Sequence, residues 1–173
     1  MKLLIIALAF IIITPLFGSA QFIKSNQTDA FTHQKRIVTN ETNVEADISF
    51  NSGVKSISFN TINDSLYIVL HGNQTVARLA GSILPTDIAL LITEKDTIVV
   101  RSTGMQTAYG KGVATSFDHQ YHISEDGLNK LATSHLLLIK RYTSEGIFDT
   151  SVKDRFQDKL MRLAVALLKE MHE

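Results

Sequence analysis

From Val113 to Ile123 the chain alternates without a break. Val113, Thr115, Phe117, His119, Tyr121 and Ile123 fall on one side of an extended backbone, and Ala114, Ser116, Asp118, Gln120 and His122 on the other. A period of two marks a β-strand with one buried and one wetter face. The rhythm recurs upstream. Val44, Ala46, Ile48 and Phe50 alternate with polar residues as far as the turn-forming Asn51-Ser52-Gly53, and Ile57 and Phe59 follow, so the two runs read as a hairpin. Leu66, Ile68 and Leu70 share one face while Tyr67 and Val69 occupy the other, which predicts a central strand covered on both sides. Ile88 to Thr93 and Thr97 to Ser102 flank Glu94-Lys95-Asp96 as a second hairpin. The run Leu136-Leu137-Leu138-Ile139, within His135 to Tyr142, is too apolar for a sheet edge and predicts an interior strand.

The period changes twice. Ser124-Glu125-Asp126 opens a short helix, with the serine as N-cap and acidic residues in the first turn, where the helix dipole favours them. At the end of the chain Val152, Phe156, Leu160, Leu163, Leu167 and Met171 recur at helical spacing behind Ser151-Val152-Lys153-Asp154, which resembles a capping box. Strands, a short helix, a strand and a terminal helix fit an α+β fold better than alternating β-α-β units. The expected architecture is a mainly antiparallel β-sheet with one short helix and a long C-terminal amphipathic helix packed on it.

The first 20 residues predict export. Lys2 precedes an apolar run from Leu3 to Thr14, Pro15 interrupts it, and Gly18-Ser19-Ala20 lead to Gln21. This order of charged, apolar and small residues is that of a cleavable signal peptide, with the cut expected between Ala20 and Gln21. The apolar run is too short to span a bilayer, which needs ~20 residues. Residues 21–32 are polar and read as a flexible leader, and 33–173 as a single domain in the periplasm or the medium, with no membrane contact after cleavage. The chain has no cysteine, which excludes disulfides, thiol chemistry and zinc-thiolate sites. About 150 residues bury enough apolar surface to fold without such crosslinks. Lys and Arg number 17, as do Asp and Glu, so no basic footprint for nucleic acid exists.

Motifs for chemistry are few. Gly104 to Gly112 invites comparison with a phosphate-binding loop, but one residue too many separates Gly104 from Gly110, and Gly112 stands where a Walker loop has Ser or Thr. A flexible connection is the favoured reading, with Tyr109 and Lys111 available to touch a ligand. His119 and His122 lie on opposite faces of a strand and cannot chelate one metal. His119 is expected in the core, with its proton satisfied by a hydroxyl or carbonyl. On the polar face Asp118 and His122 are the better candidates for ligand contact, although four residues of extended chain keep them from pairing directly. No Gly-x-Ser-x-Gly elbow, His-Glu-x-x-His helix or EF-hand loop occurs. No catalytic residue, metal or cofactor is therefore expected. Sequons at Asn26, Asn40, Asn63 and Asn73 fall at predicted turns.

The segment Ile123-Ser124-Glu125-Asp126-Gly127-Leu128-Asn129-Lys130-Leu131, with the strand Leu136 to Arg141 behind it, resembles a pattern in uncharacterised exported α+β proteins of Bacteroidota. The likeness covers the last third of the chain. It implies a periplasmic or secreted domain without known catalysis and carries over no functional residue. Two functions fit these observations. One is a non-catalytic module binding a protein, glycan or small ligand through a sheet face or the 104–112 segment; the other is an exported hydrolase whose acid/base groups converge only in space.

Overall fold

The computed structural model describes residues 21–45, 53–63, 65–75, 83–109, 114–144 and 146–173. Its strands are β1 (Ile23–Thr28), β2 (Lys35–Thr39), β3 (Thr42–Asn43), β4 (Gly53–Ile62), β5 (Ser65–Thr75), β6 (Ile88–Thr93), β7 (Thr97–Tyr109), β8 (Ala114–His122), β9 (Leu136–Thr143) and β10 (Gly146–Ser151). The helices are α1 (Glu125–Thr133) and α2 (Asp154–His172). All ten strands belong to one antiparallel sheet in the order β1-β2-β4-β5-β8-β7-β6-β9-β10, with β3 also beside β4. The class is α+β, with the second helix C-terminal.

Alternation decides which side chains reach the core. Ile57 and Phe59 of β4, Ile68 and Leu70 of β5, and Tyr121 of β8 are buried together with Leu91, Ile139, Leu163 and Leu167, and Phe117 of β8 is buried beside His119. α2 packs against α1 and against β2, β3, β4 and β9. The sheet curls far enough for its last strand to return toward β4. Val54 N donates to Thr150 Oγ1 at 3.3 Å, and Lys153 N donates to the Val44 carbonyl at 3.0 Å. Gly72 permits tight packing inside this curl, because a Cβ there would collide with the Phe117 ring and with the Gly53 carbonyl oxygen.

Several expectations need correction. Residues 23–28, expected to be part of a flexible leader, form β1, and Phe22 is buried in the core. The strand is polar because it is an edge, anchored by Phe22 and by pairing with β2. In the turn after it, which is exposed like most of β1, Asp29 Oδ1 accepts from Phe31 N and Thr32 N. Those bonds also hold the Asp29 carboxyl below its usual pKa.

Ser151 does not cap the terminal helix. It ends β10 opposite Leu138, and α2 begins three residues later with Lys153 at the N-cap and no side-chain cap bond. The ladder wins because Val152 N donates to the Leu137 carbonyl, extending the strand pairing past Ser151. Gly104 to Tyr109 continues β7 rather than forming a loop. Gly104 takes a φ of 73° at a bulge between Ser102 and Gln106, a conformation that favours glycine, and the strand resumes beyond it. Of the strand predicted from Val44 to Phe50, Val44 and Glu45 follow β3 outside any strand and 46–50 lie outside the described residues, as do the expected signal peptide 1–20 and the turn residues Asn51 and Ser52. β10 went unforeseen because Gly146 to Ser151 is short and mostly exposed, without an apolar alternation.

Candidate functional site

Asp118 and His122 project from β8 on the face turned away from the core, and the fold does not bring them together. His122 is exposed and stacks on Tyr67 of β5, with ring centroids 4.7 Å apart. Asp118 finds a different histidine. His71 of β5 lies opposite it in the ladder, and the two side chains meet at 2.7 Å between His71 Nδ1 and Asp118 Oδ1. His71 Nε2 in turn lies 2.8 Å from Ser58 Oγ on β4. Ser58 pairs with Val69, so His71 reaches it diagonally along the same face. Three neighbouring strands thus carry a continuous Ser58–His71–Asp118 chain. Tyr109 ends β7 opposite Ser116; its side chain, like all of Lys111, lies outside the described residues.

A second constellation occupies the inner face. Arg141 of β9 is 1% exposed, and no carboxylate among the described residues pairs with it. Its guanidinium carbon lies 4.7 Å from the Phe117 ring centre and 5.5 Å from that of Phe148 on β10. Arg141 Nη1 donates to His119 Nδ1 at 3.4 Å, while Nε is buried without a partner. An arginine only donates, so His119 accepts at Nδ1 and its own proton sits on Nε2. Burial, and then the Arg141 charge, push His119 down to a pKa of about 4. His119 is buried as expected, and its accepting nitrogen faces a cation, Arg141. Tyr121, also buried with an unpartnered hydroxyl, is pushed up to about 12 by burial. Burial lowers Arg141 itself as well.

Sequence reasoning placed His119 inside and Asp118 outside but missed His71, Ser58 and Arg141. The signal for Arg141 was present, since it sits in an apolar run at a position that alternation with Ile139 turns inward. His71 continues the face of Tyr67 and Val69, and its pairing with Asp118 depends on strand register.

Two surface hollows are bounded by described residues. The larger, about 750 Å³, is lined by Lys35, Ile37, Glu125, Met171 and His172, among others. Its charges are already engaged: Lys35 Nζ donates to the Glu170 carbonyl at 3.2 Å, and His172 pairs with Glu125 at 3.4 Å. The smaller, about 430 Å³, lies against Arg155, Lys159 and Arg162 of α2. Neither contains Asp118, His122, His71 or Arg141. No group of three or more potential metal ligands occurs among the described residues. The chain matches no protein-family model, no curated protein and no solved structure.

Proposed function

We propose that the chain is an exported binding module for a small organic anion, whose carboxylate pairs with Arg141 while its apolar part lies against Phe117 and Phe148. The observation that carries this reading is the lone guanidinium. Burying a charge without a counterion costs several kcal/mol even after relaxation, and an apolar residue would fill the same space without that cost. A bound anion would remove the penalty and take up the unpartnered Nε, forming the bidentate pair that a guanidinium favours. The neighbours suit an amphiphile. Phe117 supplies an apolar wall, and half-buried Phe148 stands on the sheet's last strand, where a ligand would enter. Neutral His119 leaves the positive charge of Arg141 undiluted.

Export is part of the proposal. It is supported by the Lys2-to-Ala20 pattern and by the likeness of segment 123–141 to exported proteins of Bacteroidota. Terminal peptide mass spectrometry of the natively expressed product should find Gln21 first.

Titration with octanoate and with octanol, followed by NMR of the Arg141 Nε–H, tests the binding reading. Octanoate should saturate the protein and shift that resonance, octanol should bind at least ~10-fold more weakly, and Arg141→Met should abolish the difference. Equal affinity for acid and alcohol, or octanoate binding that survives in Arg141→Met, would overturn it.

A further inference from the structure

We infer that Ser58 is an activated nucleophile and that Ser58, His71 and Asp118 form an acyl-transfer site for short carboxylic esters on the face of the sheet turned away from the core. This is independent of the anion site, which occupies the opposite face. The argument begins with tautomers. An ionised Asp118 can only accept, so the 2.7 Å contact fixes the His71 proton on Nδ1. In the neutral imidazole Nε2 is then an acceptor, and the proton across its 2.8 Å contact is that of Ser58 Oγ–H. A hydroxyl donating to a neutral imidazole whose other nitrogen is held by a carboxylate is the arrangement that activates serine, whatever the fold or chain order.

The same strand supplies a comparison. Ser56, two residues earlier on the same face, donates instead to Glu41 Oε2 at 2.9 Å, a partner that gives it no basic nitrogen. Two residues along β4 from Ser58, Asn60 Oδ1 accepts from Gln120 Nε2 at 3.5 Å, so the outward face also carries side-chain amides. Ser58 is buried, with 7% of its surface exposed. At that exposure only a slim acyl group can approach it, so esters with good leaving groups suit the site better than amides.

In the reaction, Ser58 Oγ bonds to the ester carbonyl carbon while its proton passes to His71 Nε2. The C–O bond to the alkoxide then breaks, and the alkoxide leaves as alcohol with that proton. Water, activated by the same nitrogen, next attacks acyl-Ser58, releases the carboxylic acid and restores the hydroxyl. Asp118 is a positioning residue, acting through the His71 tautomer.

The test is labelling of the folded protein with a fluorophosphonate, with the modified residue located by peptide mass spectrometry, alongside hydrolysis of p-nitrophenyl acetate. Wild type should be modified at Ser58 and not at Ser56, and heat-unfolded protein should not be modified. His71→Gln should slow labelling at least ~10²-fold, and Asp118→Asn, which lets His71 carry its proton on Nε2, should do the same with an unchanged circular dichroism spectrum. Absence of label at Ser58 in folded wild type, or equal labelling of Ser56 and Ser58, would reduce the chain to a structural tie between strands and overturn the inference. Labelling that persists in a folded His71→Gln variant would do so as well.

Discussion

Arg141 and His119 meet inside the curled sheet through a single 3.4 Å hydrogen bond, and the histidine accepts it in its neutral form. A buried guanidinium held by a neutral ring and two aromatic faces is under-compensated, so removing it should help the fold. Arg141→Met, an apolar residue of comparable length, is expected to raise unfolding stability by about 1–3 kcal/mol, measured by urea denaturation of the ligand-free protein. A variant less stable than wild type would mean that the guanidinium has stronger compensation than these contacts provide.

His119 should make the fold acid-sensitive in a defined window. Its pKa is about 4 in the folded chain against an ordinary 6.5, so between those values the unfolded chain binds a proton that the native one excludes. Stability is therefore full above pH 6.5 and falls as the pH drops toward 4. The loss is at most about 3 kcal/mol, since a tenfold difference in proton affinity corresponds to ~1.4 kcal/mol. His119→Gln keeps an acceptor for Arg141 but does not titrate. Denaturation curves at pH 7 and pH 4.5 should show a smaller difference for the variant than for wild type.

Gly72→Ala should be severely damaging, because the new methyl would meet both the Phe117 ring and the Gly53 carbonyl. A loss of about 2–4 kcal/mol is expected from overpacking that forces backbone to move. Combining it with Phe117→Ala should recover little of the stability, since the clash with the Gly53 carbonyl remains. Thermal melts of the single and double variants decide the point.

The two helix starts predict opposite outcomes. Ser124 Oγ accepts from Gly127 N at 3.0 Å and caps α1, so Ser124→Ala should cost about 1 kcal/mol. Lys153 occupies the N-cap of α2 with extended φ and ψ but no cap bond. Lys153→Ser should therefore gain about 0.5–1 kcal/mol. Equilibrium unfolding of both variants checks the signs together.

Legibility in the sequence followed the reach of each interaction. Strands with strong alternation, such as 114–122, and the terminal helix were readable because periodicity is local. The inward placement of His119, Phe117 and Tyr121 came with it. β1 and β10 were hidden because edge strands gain their order from backbone pairing with a neighbour, which leaves no apolar rhythm. The false cap at Ser151 arose for the same reason: a serine before a helix looks like a cap unless the ladder claims that stretch of backbone. His71 could not be joined to Asp118 and Ser58 from sequence, since the register of β4, β5 and β8, including the bulge between Val54 and Ser56, decides which side chains face each other.

The way β1 is tied down bears on the timing of maturation along the proposed export route. The Gln21 carbonyl accepts from Asn40 Nδ2 at 2.8 Å, the Phe22 carbonyl accepts from Asn40 N at the same distance, and the Phe22 ring is buried. A peptidase must draw several residues on either side of its target bond into an extended groove. Once the body has folded, the residues following Ala20 are no longer free to enter one. On that route, cutting after Ala20 must precede closure of the core, and a product trapped with its leader attached would be a fully folded one.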